Sequence, residues 1–236
     1  MSGTDFSLCC QTFLSREPTM EKKIFYHRNL PHWHPAGSSI FLTWRLTGSL
    51  PQVVLRQLRS LREQMSKRKA ILDSGWTTDV QIMEYKRFFA RVDAILDRAT
   101  TGPLWLKQID VANLVQQALL ERYARLYKLW SYVVMANHIH VFLKPKDETT
   151  IASITKHLKG FTAREANRIL GRTGQTFWQD EVFDHWCRDR AEFVRIVRYI
   201  ENNPVKAGLV KQPKDWPWSS AAERTRRGLN EFRELT

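Results

Sequence analysis

Apolar and polar residues alternate in several short segments, and this pattern predicts β-strands. Residues 39–48 place an apolar side chain at every second position, which indicates a strand with one buried face. Residues 128–135 and 138–144 predict a hairpin that turns at the two residues between them. A further strand is predicted over residues 181–187, whereas the prolines bounding residues 31–35 predict a loop.

Other segments have apolar residues three and four positions apart, which is typical of amphipathic helices. The predicted helices are a stretch beginning at Pro51, residues 79–98, residues 110–127 with Asp110 as N-cap, residues 150–170, and a stretch from 189 or 190 to 203. Pro204 is expected to end the last helix, because proline disfavours helical geometry in the residue before it.

The order of these elements predicts the class of fold. A strand, helices, a hairpin, a helix, a strand and a helix are typical of an α+β domain, a ferredoxin-like antiparallel sheet with helices packed on it. We expect this domain to cover residues 23–220, with a helical insertion at 66–109. Residues 1–22 are expected to form a flexible leader, and residues 221–236 a C-terminal tail.

Charge narrows the possible partners. The 236 residues carry a formal charge of +13, which favours a polyanion such as nucleic acid, although a merely soluble basic surface is the alternative. The odd set Cys9, Cys10 and Cys187 forms no disulfide framework, which suits a reducing compartment. With neither a signal-peptide pattern nor an 18-residue apolar run, we expect a soluble cytoplasmic protein.

The segment from Tyr132 to Lys144 carries the strongest chemical signal, two histidines separated by one residue. Because side chains alternate along a strand, His138 and His140 point to the same face with Cα atoms about 7 Å apart. Two imidazoles at that spacing can bind one metal ion. A half-exposed sheet face without a metal is the alternative, and the choice depends on Tyr199.

Tyr199 lies on the predicted helix that ends at Pro204, about 130° away from the centre of the helix's apolar stripe. Asn203 and Arg195, four residues away on either side, share its face. An arginine there would hold a phosphate, and an amide oxygen would complete a metal's ligand set with the two histidines. This placement favours a tyrosine that is accessible to a substrate over one that is buried in the core.

Together these residues predict metal-assisted attack on a phosphodiester. A divalent cation held by two imidazoles and an amide oxygen would polarise a non-bridging phosphate oxygen. The Tyr199 hydroxyl would form a 5′-phosphotyrosine and free a 3′-OH, so that rejoining needs no ATP. Mg²⁺ or Mn²⁺ is expected rather than zinc, because phosphate oxygens join the ligand set and no cysteine does.

At these residues the chain also resembles a known family, the REP-associated tyrosine transposases, where REP denotes a repetitive extragenic palindrome. They are a branch of the single-tyrosine HUH (His-hydrophobic-His) transposases. The matching stretches are RNLPHWH at 28–34, GPLW at 102–105, VVMANHIH at 133–140, LKGFTAREAN at 158–167, FWQD at 177–180, FDH at 183–185 and YIENNPVKAGL at 199–209. They extend over most of the chain; the family usually has proline where Ala136 stands.

The resemblance implies a nuclease of the HUH fold that cuts and rejoins single-stranded DNA near short palindromic hairpins. It implies that His138 and His140 are metal ligands, that Tyr199 is the nucleophile and that Asn203 is the third, amide-type ligand. Some HUH transposases share active sites between two subunits, but the long C-terminal extension favours a monomer here.

Basic and aromatic residues are candidates for DNA contact, with a solvated or core role as the alternative for each. The candidates are Arg28, His32, Trp33, His34, Lys156, Lys159, Arg164, Arg168, Arg172, Trp178, Arg188, Arg195 and Arg198. Phe177 is a further candidate for base stacking. A second metal pair is another alternative for His32 and His34. A catalytic part is considered for Asp180, Glu181 and His185.

Two other functions stay open at this point. A catalytically silent, sequence-specific DNA-binding protein derived from such a transposase would keep the fold without cleaving DNA. A metallohydrolase that activates water would cleave a phosphodiester without Tyr199.

Overall fold

The computed structural model describes residues 24–27, 31–35, 37–71, 79–99, 101–146, 148–230 and 232–236, so the expected leader at 1–22 lies outside the described part. The strands are β1 Ile24–His27, β2 Pro31–His34, β3 Ile40–Arg45, β4 Tyr127–Val134, β5 His138–Pro145 and β6 Phe183–Trp186. The helices are α1 Gln52–Ile71, α2 Asp79–Arg98, α3 Ile109–Gln117, α4 Ile151–Ile169, α5 Arg190–Lys206 and α6 Ser220–Arg227.

Strands β3 to β6 form an antiparallel sheet in the order β4-β5-β3-β6. Helices separate β3 from β4 and β5 from β6, while β4 and β5 form a direct hairpin. This β-α-β-β-α-β sequence of elements is the ferredoxin-like arrangement. The predicted α+β class with an antiparallel sheet is therefore confirmed.

The two faces of this sheet pack against different helices. On one face Leu42, Ile139 and Val141 belong to a core that includes α3 and α4. On the other face Phe41 and Phe142 belong to a core that includes α5. Since β5 alternates between these faces, the sheet separates α4 from α5.

The expectation that β3 has one buried face was wrong. Thr43 and Arg45, which alternate with the apolar residues, are also buried. The cause is a second layer of helices: Phe89 of α2 packs edge-on against Phe41, and α5 covers the same face. Burial of a strand by helices that are distant in the sequence does not appear in the local alternation of apolar and polar residues.

Several predicted elements agree with the structure. The helix at 79–98 coincides with α2, and α4 begins after Thr150, whose hydroxyl accepts a hydrogen bond from the Ser153 amide as an N-cap. The predicted hairpin corresponds to β4 and β5, and the last predicted strand contains β6.

One predicted element and three predicted boundaries were wrong. Residues 31–34 form β2 and pair with β1, because proline is tolerated at the first position of a strand. Helix α3 is N-capped at Gln108 rather than Asp110, and a π-turn and a 3₁₀-turn follow it before Tyr127 opens β4.

Helix α5 continues past Pro204 to Lys206. Proline removes only its own amide donor, and the next turn still closes, since the Ala207 amide donates to the Asn203 carbonyl at 2.9 Å.

The residues after α5 pack back on the sheet. Trp216 donates its indole N–H to the Val134 carbonyl at 3.0 Å. In the segment expected to be a tail, Arg224 of α6 is ion-paired with Glu201, and Leu235 is buried in the main core. Among the described helices, none combines the length and the apolar character needed to cross a bilayer.

Candidate metal and nucleophile site

His138 and His140 lie on β5, on the sheet face covered by α5 and α2, and both are completely buried. Two hydrogen bonds orient their rings. His138 Nδ1 lies 2.7 Å from Asn137 Oδ1, which only accepts, so Nδ1 carries the proton and Nε2 keeps its lone pair. His140 Nδ1 lies 2.7 Å from Thr43 Oγ1 on the neighbouring strand, a contact through which it can donate in the same way.

The two Nε2 atoms face each other at 3.2 Å. Burial, together with the nearby His140, lowers the pKa of His138 to about 3, so this imidazole is neutral at physiological pH. A neutral imidazole with a free lone pair is the form that binds a metal.

Two carboxylates of α2 complete the cluster. Asp93 Oδ1 lies 3.1 Å from His140 Nε2, and Asp97 Oδ1 lies 3.7 Å from His138 Nε2. The carboxylates share one face of α2, because four residues separate them. One ligand atom from each of these four residues lies within 4.8 Å of the other three.

The two carboxylates differ in their electrostatics. Burial would raise the pKa of Asp93, but the attraction of His140 and His138 outweighs it, so that the pKa of Asp93 is lowered. Burial and repulsion from Asp93 raise the pKa of Asp97, although Lys206 opposes this. Lys206 Nζ donates to Asp97 Oδ2 at 3.0 Å and so joins α5 to α2.

Asn203 approaches the cluster from α5 and is fully buried. Its Nδ2 lies 3.4 Å from His140 Nε2, and its Oδ1 has no hydrogen-bond partner within the described chain. A half-turn of the amide leaves its shape unchanged and exchanges these two atoms. In that orientation Asn203 directs its oxygen, like the two histidine Nε2 atoms, into the space where a cation would bind.

These side chains fit a divalent cation. Metal–ligand bonds of about 2.0 to 2.2 Å place neighbouring ligand atoms about 3 to 4 Å apart, and the distances of 3.1, 3.2 and 3.7 Å lie in that range. Among the described residues, both oxygens of Asp93 and Oδ1 of Asp97 are buried without a hydrogen-bond partner. A cation would satisfy these oxygens together with that of Asn203.

Tyr199 is half-buried on α5, one turn before Asn203. The centroid of its ring lies 5.7 Å from that of His140 and 6.0 Å from that of Phe41. The structure therefore brings Tyr199 and Asn203 to the paired histidines.

A mostly apolar cavity of about 310 Å³ opens beside Tyr199. His185 and Glu192 line it, and His185 Nε2 donates to Glu192 Oε1 at 2.8 Å. Burial would raise the pKa of Glu192, but hydrogen bonds from Arg188 and His185 hold it well below its usual range. His185 thus belongs to an ion-paired network at this cavity, outside the metal cluster.

The sequence patterns did not reveal Asp93 and Asp97. A signal was present, since each directly follows an apolar residue, Val92 and Leu96, that is buried in the structure. Two carboxylates at the edge of a buried helical stripe are costly unless they are paired, and this makes them candidate ligands.

The basic candidates on α4 lie away from the cluster. Lys156, Arg164 and Arg168 are exposed, but α4 covers the opposite face of the sheet from His138. Arg164 and Arg168 also contact Glu165, at 3.4 and 2.7 Å.

Two other basic candidates have structural roles. Lys159 Nζ donates to the carbonyls of Gln179 and Asp180 at 2.7 and 2.8 Å. Arg172 lies over the Trp105 ring at 3.7 Å.

For Trp178 and Phe177 the structure favours the alternative of a core role over base stacking, because both rings are buried in the core. The Trp178 indole N–H donates to Thr162 Oγ1 at 2.9 Å and fixes the ring there.

The exposed candidates nearest Tyr199 are Arg188, Arg195 and Arg198, at the start of α5 and along it. Arg195 also lines the cavity beside Tyr199. Arg28 lies outside the described residues. For His32, Trp33 and His34 only the backbone is described, so their predicted DNA contacts stay predictions.

Residues 108–203 match the family described as "Transposase IS200 like". This interval contains both histidines, Tyr199 and Asn203. The chain is similar to REP-associated tyrosine transposases. The one from Escherichia coli K12 is 25% identical over 159 residues, which cover 62% of this chain and 87% of that protein. The predicted resemblance is therefore confirmed.

Two further similarities were found. A Haemophilus influenzae protein named "Putative REP-associated tyrosine transposase" is 30% identical over 96 residues, or 37% of this chain and 54% of that protein. A solved structure described as a REP-associated tyrosine transposase bound to a REP hairpin has a TM-score of 0.47 at 19% identity. That alignment covers 89% of this chain and 94% of the solved chain.

Proposed function

We propose that this protein is a metal-dependent endonuclease and strand transferase that acts on single-stranded DNA near palindromic hairpins. One observation carries the proposal: the Tyr199 ring lies 5.7 Å from His140, in a cluster that also contains His138 and Asn203. The resemblance to transposases, two of them with REP-associated in their names, supports the choice of substrate.

Tyr199 is the nucleophile in this proposal. Its hydroxyl oxygen attacks the phosphorus and loses its proton to solvent, while the bond from phosphorus to the 3′-oxygen breaks. The 3′-oxygen takes up a proton and leaves as a 3′-OH, and the 5′-phosphate stays on the tyrosine. Attack by a 3′-OH on this phosphotyrosine reverses the step and joins strands.

His138, His140 and Asn203 hold a cation, for which we propose Mg²⁺ or Mn²⁺. When bound, the cation stabilises negative charge on the non-bridging phosphate oxygens during displacement. Thr43 and Asn137 keep the two imidazoles oriented for that task.

Basic side chains along α5 bind the DNA backbone next to the reacting phosphate. Arg195 and Arg198 are exposed on the helix that carries Tyr199, and arginine binds phosphate through two parallel hydrogen bonds. The net charge of +13 strengthens this attraction at low salt.

A second candidate function is DNA binding without cleavage. The complete burial of His138, His140 and Asn203 favours it, because a phosphodiester does not reach them in this conformation.

The extra carboxylates Asp93 and Asp97 favour a third candidate, a metal site that activates water.

Denaturing gels separate the three candidates. The protein is incubated with labelled stem-loop oligonucleotides bearing single-stranded flanks, with Mn²⁺ or with EDTA. We expect a slow-migrating covalent adduct that requires the cation and disappears in Tyr199→Phe. The matched control is Tyr123→Phe, which removes a phenolic hydroxyl and keeps the ring that contacts Phe161 of α4.

Cleavage that persists in Tyr199→Phe would establish water as the nucleophile. Binding without any adduct or cleavage over a library of stem-loops would establish the silent binder. Loss of the adduct in both tyrosine variants would refute a specific role for Tyr199.

A further inference from the structure

The metal cluster is sealed in this conformation, and α2 seals it. His138, His140, Asn203 and Asp93 have no exposed surface. The proposed reaction requires a DNA phosphate next to the cation that this cluster would bind. Within the described chain, the helix that brings carboxylates against the histidines is α2, which lies outside the interval that matches the transposase family.

We propose that α2 is a lid, and that Asp93 and Asp97 occupy the positions that phosphate oxygens take when DNA is bound. The lid closes over the cation in the absence of DNA and opens when a phosphodiester replaces a carboxylate. This inference rests on the proposed function and adds to it a way of regulating access.

The ligand count favours such an exchange. Two imidazoles, one amide oxygen and two carboxylates supply five ligands, and an octahedral cation accepts about six. The single remaining position accepts one phosphate oxygen at most, and the closed helix blocks the approach of the strand. Carboxylate and phosphate are both anionic oxygen ligands, so one can replace the other without a change of metal.

The described contacts that hold α2 lie close to the site. Lys206 joins it to α5 through Asp97, and half of the Lys206 side chain is exposed. Phe89 contacts Phe41 and Phe183 through its ring. The buried residues Val92 and Leu96 belong to a small apolar cluster separate from the main core. An opening of α2 therefore leaves the main core intact.

The residues after α2 form a hinge, next to a glycine whose position is fixed by close packing. Ala99 follows the helix with φ at +49°, a left-handed conformation that costs alanine energy. Gly102, three residues on, lies so close to the Gly48 backbone that a Cβ would be 2.1 Å from the Gly48 carbonyl oxygen. The chain is thus anchored at Gly102 and strained at Ala99.

Hydrogen exchange tests the lid without relying on activity. The full-length Tyr199→Phe protein, which cannot form the adduct, is compared alone, with Mn²⁺, and with Mn²⁺ plus a stem-loop oligonucleotide with single-stranded flanks. We expect Mn²⁺ to slow exchange in residues 79–98. We expect the oligonucleotide to restore fast exchange there while the β4–β5 hairpin stays protected.

Asp93→Asn with Asp97→Asn supplies the matched variant, and Asp110→Asn on the exposed start of α3 is the control. The double variant should bind Mn²⁺ at least tenfold more weakly by calorimetry and lose the Mn²⁺ effect on α2.

Three results would overturn the lid: no Mn²⁺ effect on α2, stronger protection of α2 with DNA, or unchanged Mn²⁺ affinity in the carboxylate variant. If wild-type protein forms the adduct and α2 does not respond, the lid fails alone. If no stem-loop gives an adduct or changes exchange, both proposals fail, and Mn²⁺ protection would then mark α2 only as a metal-binding helix.

Discussion

At the residue scale, the candidate site joins two pairs of side chains, one pair on β5 and one pair on α5. Two histidines on alternate positions of a strand must share a face, and a tyrosine four residues before an asparagine must share its helix face. The structure places these four side chains together. Local spacing decides which side chains face the same way within β5 and within α5. That the two pairs meet depends on long-range packing, and it was predicted from the chemistry of these residues and from the resemblance.

Asp93 and Asp97 show what local spacing leaves out. They reach the histidines from a helix more than 40 residues earlier in the chain, through the tertiary position of α2. Their helix was predicted with its correct bounds, but its position relative to β5 depends on non-local contacts. A carboxylate pair beside apolar helix positions was the clue that the sequence offered.

The orientation of His140 gives a prediction at this scale. Thr43→Val keeps the shape of the side chain and removes the hydroxyl 2.7 Å from His140 Nδ1. We expect Mn²⁺ affinity to fall by about tenfold to a hundredfold, as in other metal sites whose ligand histidine is deprived of its orienting partner. Calorimetry measures the affinity, and circular dichroism checks the fold.

Thr155→Val on α4 is the control, since its hydroxyl donates to the carbonyls of Ile151 and Ala152 in its own helix. Equal Mn²⁺ affinity in the Thr43 variant and wild type would contradict the assigned role of Thr43.

At the element scale, predictions failed where a residue type was taken as a boundary. Pro204 was expected to end α5, yet the helix continues for two residues and carries Lys206 to Asp97. The prolines around residues 31–35 predicted a loop, yet residues 31–34 pair with β1. Proline limits its own hydrogen bonding, and the neighbouring structure decides whether an element continues.

The anchor at Gly102 gives a prediction for the connection between α2 and the sheet. Gly102→Ala forces a Cβ against the Gly48 backbone in addition to the cost of its positive φ. We expect the free energy of unfolding to fall by about 3 kcal/mol. Chemical denaturation measures this decrease.

Gly171→Ala separates the two costs, because Gly171 has a similar φ of +64° but no atom within 4 Å of the added Cβ. Its free energy of unfolding should fall by only about 1 kcal/mol. Equal decreases at the two glycines would show that the close approach to Gly48 contributes nothing.

At the scale of the whole molecule, the sequence predicted the sheet but not the distribution of charge around it. Basic residues of α4 and α5 were both candidates for contact with DNA. The structure puts the two helices on opposite faces, because successive residues of β5 belong to different cores. Which face a helix covers depends on how the chain crosses the sheet, and composition does not record this.

The salt dependence of DNA binding tests this distribution. For single strands the slope of log affinity against log salt decreases by about 0.7 for each phosphate that the protein no longer neutralises. Arg195→Gln with Arg198→Gln, on the helix of Tyr199, should therefore reduce the slope by about 1.4. Fluorescence anisotropy with a labelled single strand gives the slope.

Arg164→Gln with Arg168→Gln is the matched pair on the opposite face, where Glu165 already contacts both arginines. A larger change from this pair than from the α5 pair would place the DNA path on the α4 side.

The most direct measurement of the central claim is the identity of the residue that bonds to DNA. Trypsin cleaves after Arg198 and Lys206, so the proposed nucleophile lies on the peptide 199–206, which contains no other tyrosine. After reaction with a stem-loop oligonucleotide and Mn²⁺, followed by nuclease digestion, mass spectrometry should find this peptide carrying a nucleotide through its 5′-phosphate on Tyr199. Cleaved DNA with the peptide unmodified, or a nucleotide on any other residue, would contradict the account.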